Sequence, residues 1–341
     1  VGDAIGAPVE FLQAWQIESR YGPGGPTSFS AAPGDAFKGL VTDDTQMTLF
    51  TLEGLIRAHV RYRVSGHDDT AATVQNAYLR WLYTQDEQIP RSLITGHLIT
   101  ESMLYDVRAP GNTCLEALRA TAQGEPFGTI ERPINNSKGC GAVMRAAPVA
   151  MWPNASSAEV FRLAAETGAV THGHPSGYLS AGALAVIVRE LLRGADLDGA
   201  LDRAEVELAV WAGHEEVLAA LRSARRLAAE GRPTRADIES RLGGGWVGEE
   251  ALAIGVCAAS AADDLHDGWR LAVNHSGDSD STGSICGNIL GAQYGDSAIG
   301  TRHRNHLHVR RLCVRLVTEA LTEFGDEPPP GNSWLARYPP N

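Results

Sequence analysis

The sequence predicts an all-α fold in a single helical domain, on three observations. Long segments carry apolar residues at three-to-four spacing, clear strand alternation is absent, and no linker divides the 341 residues. The periodic segments are 47–60, 70–83, 158–170, 176–192, 198–211, 214–230, 249–262 and 282–292. They are rich in Ala and Leu, which are strong helix formers. Gly/Pro clusters at 21–26, 109–111, 139–141 and 243–245 punctuate the connections. Self-similarity at a fixed period is not seen. The helical domain is expected over 1–326. The proline-rich tail 327–341 is expected to be irregular but docked on the body through Trp334 and Tyr338.

Within the last periodic segment, Gly283, Gly287 and Gly291 recur every fourth residue. Each such Gly costs about 1 kcal/mol relative to Ala inside a helix. The expected reason is close approach of another helix backbone along that face, with Ile285, Ile289 and Ala292 on the apolar side. This reads as a buried central helix.

Composition narrows the function classes. A hydrophobic content of 43% suits a globular core, no run approaches a membrane span, and no segment reads as a signal peptide. The five cysteines, Cys114, Cys140, Cys257, Cys286 and Cys313, are scattered, odd in number and form no CxxC. That argues against a disulfide framework or a zinc site and for a reducing cytoplasm. A net charge of −12 disfavours nucleic acid as a partner. A monomer is expected.

The most informative segments are Thr42-Asp43-Asp44-Thr45 and Asp278-Ser279-Asp280-Ser281-Thr282. Each sets two carboxylates and a hydroxyl directly before an apolar helical pattern. Residues one or two apart do not share a helix face. Such carboxylates converge only at the start of a helix, where the chain is still turning and backbone N–H groups are free. Thr and Asp are also ordinary N-caps, but a cap needs one carboxylate and each segment supplies two. Brought together, the segments would gather four acidic groups, an arrangement that is costly unless cations neutralise it. Carboxylate and hydroxyl oxygens suit hard ions such as Mg²⁺ or Mn²⁺. The residues thus point to a two-metal hydrolase.

Other motifs are less specific taken singly. Gly139, Cys140 and Gly141 suit a loop that lets a phosphate approach its backbone, although spacing alone favours a plain turn before a helix. Ser137 is a candidate phosphate donor, Lys138 is expected to face solvent, and Met144 reads as core rather than ligand contact. Arg145 could pair with a phosphate or with an internal carboxylate. His172 and His174 precede Pro175 at a helix start; each could donate to a ligand or to backbone, and the backbone reading is preferred for His174. His303, His306 and His308 among arginines read as a solvated basic patch, and Arg57, Arg61 and Arg63 as an exposed helix end.

Taken in order, the motifs resemble the ADP-ribosylglycohydrolase family. Gly2-Asp3-Ala4-Ile5-Gly6-Ala7-Pro8-Val9-Glu10-Phe11 is similar to its opening motif, and Thr42-Asp43-Asp44-Thr45-Gln46-Met47 to its first metal motif. The segment Gly139-Cys140-Gly141-Ala142-Val143-Met144-Arg145 resembles its glycine-rich ligand loop, and Thr171-His172-Gly173-His174-Pro175 its central histidine motif. The second metal motif is matched by Asn274-His275-Ser276-Gly277-Asp278-Ser279-Asp280-Ser281-Thr282-Gly283. The resemblance implies an orthogonal all-helical bundle with a dinuclear centre of Mg²⁺ or Mn²⁺, held by Thr42, Asp43, Asp44, Asp278, Asp280 and Ser281. It implies that Ser137, Gly139, Cys140, Gly141, Met144, Arg145 and His172 line the ADP-ribose site. Asp278 or Asp44 would accept a proton from water, with Glu10 as a further acid/base, the three being unranked. Cys140 stands where many relatives carry Asn, and Ser281 where many carry Thr.

The implied activity is removal of ADP-ribose from a modified protein, with arginine favoured as the acceptor and free ADP-ribose as product. The alternatives are an O-linked substrate (ADP-ribosylserine or O-acetyl-ADP-ribose), a non-catalytic ADP-ribose-binding protein of the same fold, and a two-metal phosphohydrolase.

Overall fold

A computed structural model describes residues 1–29 and 39–340. Among them the chain forms α1 (Gly2–Gly6), α2 (Ala14–Tyr21), α3 (Asp43–Ser65) and α4 (Thr70–Thr84), then α5 (Asn112–Ala122), α6 (Ser157–Ala169), α7 (Pro175–Leu192) and α8 (Leu197–Leu208). The second half adds α9 (Glu215–Ala229), α10 (Arg235–Leu242), α11 (Gly248–Ala261), α12 (Leu265–Val273), α13 (Ser279–Tyr294), α14 (Thr301–His306), α15 (Arg310–Phe324) and α16 (Asn332–Arg337). The strand-like feature among the described residues is an isolated antiparallel bridge between Gly139 and Val247. No helix among them is long and apolar enough to cross a membrane.

Helix starts follow local chemistry. Pro175 opens α7 behind His174, whose Nδ1 accepts from the Ser176 N–H at 3.1 Å, so His174 is a cap. Ser156 and Glu159 form a reciprocal capping box on α6. Each periodic segment read from sequence coincides with a helix, although 198–211 runs past the end of α8; α1, α2, α14 and α16 were not anticipated, nor were α5, α10, α12 and α15. The last four bury narrower faces than α7, which is buried along nearly its whole length.

Helix α13 sits at the centre, packed by α1, α3, α7, α11 and α12. At Gly283 the close approach is real. A Cβ on Gly2 of α1 would lie 1.8 Å from the Gly283 carbonyl oxygen, and one on Gly6 would lie 2.3 Å from that of Ser279. Gly287 instead faces the Trp269 indole, and Gly291 faces open space. The glycine spacing therefore marks a backbone crossing only at the N-terminal end of α13.

The tail is more ordered than its prolines imply. Helix α16 lies within it, Tyr338 is buried, and Trp334 donates to Glu323 at 2.7 Å. Arg57 is not at an exposed end. It is fully buried, bonded to Glu53 at 3.2 Å and to the Pro339 carbonyl at 2.9 Å. His303 is likewise buried, against Phe29, Trp269 and His266.

Candidate functional site

Two helix N-termini meet beside α1. At the start of α3, Thr42 accepts from the Asp44 N–H at 3.4 Å, and its own N–H and Oγ1 donate to Asp3 Oδ1, both at 3.1 Å. Thr45 donates to Asp3 Oδ2 through its N–H at 3.2 Å and through its hydroxyl. Asp3 thus clamps the first turn of α3 from α1. At the start of α13, Asp278 accepts from the Ser281 N–H at 3.3 Å while its own N–H donates to the Gly244 carbonyl at 2.8 Å. Gly277 takes a φ of +139°, and a Cβ there would lie 2.0 Å from that carbonyl oxygen, so only Gly allows this approach.

The α3 and α13 N-termini touch directly, with Ser281 Oγ donating to Asp44 Oδ2 at 3.3 Å. Carboxylate oxygens of Glu10, Asp278 and Asp280 all lie within 4.8 Å of one another. Together with Asp43, Asp44 and Ser281 they line a cavity of about 430 Å³. Thr42 stands behind this wall, bonded to Asp3.

Electrostatically the cluster is uncompensated. Burial, then the charges of Asp278 and Asp3, pushes the Asp43 carboxyl up to about 8 against a hydrogen bond from the Gly111 N–H at 3.2 Å. Burial followed by the charges of Asp278 and Asp43 does the same to Glu10, also to about 8. Asp44 and Asp280 are held well above the carboxylate range, by burial first and by neighbouring carboxylates second. Asp44 Oδ1 and Asp280 Oδ1 are buried without a hydrogen-bond partner. Orphaned oxygens in a self-repelling pocket fit a divalent cation, because no lysine or arginine among the described residues of the wall neutralises them.

The glycine loop and the histidine motif form the adjoining wall. Gly139, Cys140, Gly141, Met144 and His172 face the cavity. The Gly139 N–H is bonded to Ser137 Oγ at 3.3 Å and the Cys140 N–H to the Trp246 carbonyl at 3.2 Å, so neither is directed at a ligand. A Cβ on Gly141 would lie 2.8 Å from Cys114 Sγ and 3.0 Å from the His172 ring. Ser137 lies behind the loop, with its hydroxyl 3.0 Å from that of Thr113. Cys140 Sγ lies 2.8 Å from Asp278 Oδ2. Lys138 is only part-exposed and pairs with Glu249 and with Glu216, the latter at 3.0 Å.

Arg145 sits behind the wall rather than on it. It is buried over the Tyr78 ring at 4.0 Å and donates to Thr171 Oγ1 at 2.7 Å and to the Thr167 carbonyl at 3.4 Å. That hydroxyl lies 2.8 Å from His172 Nδ1. Burial, then the Arg145 charge, drives His172 down to about 3, so its ring is neutral across the physiological range.

Sequence reasoning missed four contributors. Asp3 lies in the opening motif, where the sequence reading gave it no role of its own. Asn135 joins the glycine loop to the histidine motif, accepting from the Ser137 and Gly173 N–H groups at 3.0 Å each and donating to the Thr171 carbonyl at 2.8 Å. Phe11 and Trp246 stack at the cavity mouth, ring centroids 5.9 Å apart and planes 22° apart, although both are largely exposed. A tryptophan behind three glycines was the available signal for the last.

A family model described as ADP-ribosylglycohydrolase matches residues 1–329. An ADP-ribosylarginine hydrolase, Tri1, from Serratia proteamaculans is 27% identical, over 88% of this chain and 70% of its own. An ADP-ribosyl-[dinitrogen reductase] glycohydrolase from Rhodospirillum rubrum is 24% identical, over 95% and 93% respectively. Among solved structures, an ADP-ribosylglycohydrolase-related protein complex superposes with a TM-score of 0.65 and 26% identity, covering 95% of this chain and 93% of that one. Built on α3 and α13, whose N-termini meet over one acidic cavity, the chain belongs to the ADP-ribosylglycohydrolase family.

Proposed function

We propose that this protein hydrolyses the N-glycosidic bond between ADP-ribose and an arginine side chain of a modified protein. Two Mg²⁺ or Mn²⁺ ions would be held by oxygens of Asp43, Asp44, Asp278, Asp280 and Ser281, with Thr42 ordering the loop. The observation that carries the reading is the convergence of these carboxylates, two of their oxygens orphaned, in one cavity with the glycine loop and His172. The arginine linkage draws support from the names of the relatives.

When bound, the cations would orient the ribose hydroxyls and acidify a water at that face. The chain's own groups do the rest. Asp278 or Asp44 would accept a proton from the attacking water, with Glu10 as a further acid/base. Carboxylates around the anomeric carbon stabilise the positive charge that develops on the sugar. His172 would serve as a neutral donor. Arg145 donates to Thr171 Oγ1, and with the hydroxyl proton directed at His172 Nδ1 the ring would keep Nε2–H for the ligand. Arg145 is then a positioning residue.

The test is release of ADP-ribose from an ADP-ribosylarginine peptide and an ADP-ribosylserine peptide, each with Mg²⁺, Mn²⁺ or EDTA. Turnover of the arginine peptide, abolished by EDTA, is expected. Turnover of the serine peptide alone would overturn the linkage, and turnover in EDTA would overturn the cation dependence.

A further inference from the structure

Cys140 is set apart from the other cysteines by what its sulfur faces. Cys257 and Cys286 are buried in the helical core, and Cys313 packs against that core. Cys114 reaches the cavity wall, but its sulfur receives Arg145 Nη1 at 3.5 Å. Cys140 Sγ lies instead among the proposed cation-holding atoms, 2.8 Å from Asp278 Oδ2 and 3.8 Å from Ser281 Oγ. Met144 Sδ approaches the same Ser281 hydroxyl at 3.9 Å. One side of the carboxylate cluster is therefore sulfur.

The thiol cannot easily withdraw. Its backbone N–H donates to the Trp246 carbonyl at 3.2 Å and its carbonyl accepts from the Met144 N–H at 3.1 Å. The preceding residue is bridged to Val247. Independently of the cysteine, Asp44 Oδ1 and Asp280 Oδ1 are buried in this pocket with no partner. An oxygen-only site for a hard ion has no use for a thiol beside its carboxylates, whereas sulfur donors favour softer cations.

We propose that Cys140 Sγ is a soft donor of this centre, so that the pocket takes a thiophilic divalent cation of the Zn²⁺ or Cd²⁺ class through Cys140 and Asp278 together. This rests on the reading that the carboxylate cluster binds divalent cations at all. On coordination the S–H bond breaks, a sulfur–metal bond forms and the proton leaves to solvent, with no change of oxidation state. Thiophilic ions would then compete with the hard ions for the centre.

The experiment is titration of the cation-free protein with Cd²⁺, followed by the sulfur-to-cadmium charge-transfer absorption, beside Mn²⁺ binding followed by electron paramagnetic resonance. Wild type and Cys114→Ala should both develop the band with the first equivalent of Cd²⁺. Cys140→Ala and Cys140→Ser should lack it and lose roughly tenfold or more in Cd²⁺ affinity, while Mn²⁺ affinity changes by less than about threefold, as for an ion held by oxygens. Retained Mn²⁺ binding also shows that the variants are folded. A band that survives in Cys140→Ala, or unchanged Cd²⁺ affinity, overturns the proposal alone. No Mn²⁺ binding by wild type overturns it together with the cation-site reading on which it rests.

Discussion

Helix α3 carries two buried charge clusters, and they are resolved in opposite ways. At its start, Asp43 and Asp44 face Asp278, Asp280 and Glu10, with carboxylate set against carboxylate. Further along, Glu53 accepts from Arg80 Nη2 at 2.6 Å and Nε at 3.1 Å, and from Arg57 Nη1 at 3.2 Å. Burial works to raise the Glu53 carboxyl, but the Arg80 and Arg57 charges and hydrogen bonds outweigh it and hold it below its ordinary value. Arg57 is finished by Thr95 and the Pro339 carbonyl, which ties the tail to the body. Burial is equally deep in both places. A buried cluster that neutralises itself supports the fold; one that repels itself is kept for a ligand that completes it.

The sharpest way to break this contrast is to delete one acid from each cluster. Asp44→Asn is expected to lower ADP-ribose release by roughly 10²-fold or more, while the cation-free protein, at a pH high enough to ionise the cluster, gains about 1 kcal/mol as a like charge disappears. Steady-state kinetics and thermal unfolding in EDTA read the two effects, and a stability loss in EDTA would contradict the assignment. Glu53→Ala leaves Arg57 and Arg80 buried without their shared carboxylate, so a loss of about 3–5 kcal/mol is expected in denaturant unfolding. Its Mn²⁺ affinity should not change, and a parallel loss would mean that the two clusters are coupled.

A third test uses pH. Carboxyls raised to about 8 at Asp43 and Glu10 contribute stability that is fully present below their unfolded values and is lost as pH rises through about 8. The thermal midpoint of the cation-free protein should therefore fall between about pH 5 and pH 8. Mn²⁺ at a hundredfold excess over its Kd should restore about 2.7 kcal/mol, with a larger effect at the higher pH because binding needs ionised carboxylates. A cation effect independent of pH would falsify the carboxylate ligands. The smallest effect separates the two ends of α13. Gly291→Ala, facing open space, should stabilise by about 0.5–1 kcal/mol, whereas Gly283→Ala, pressed against α1 beside the site, should destabilise in the same calorimetric assay.

How much was legible depended on whether neighbours in space were neighbours in sequence. The first turns of α3 and α13 are local motifs, so both acid pairs and the helices behind them could be read directly. Their meeting could only be argued from charge repulsion, and the 3.3 Å contact between Ser281 and Asp44 is what places them in one cavity. Arg57 and Arg145 show the converse. Each looks like an ordinary arginine in sequence, and each is fully buried because partners far along the chain, Pro339 and Thr171, receive its hydrogen bonds. Asn135 was silent for the same reason.

The sequence by itself determined the helical class, the two acidic helix starts, the order of the five motifs and the Gly283 crossing, because periodicity, capping and steric need are properties of short segments. Tertiary structure alone decided which side chains share the cavity. It drew Asp3 behind Thr42, set Arg145 behind His172, closed Phe11 over Trp246 and placed the Cys140 sulfur against Asp278. Those contacts join residues remote in sequence, and their energies come from burial and charge that exist only once the helices have packed.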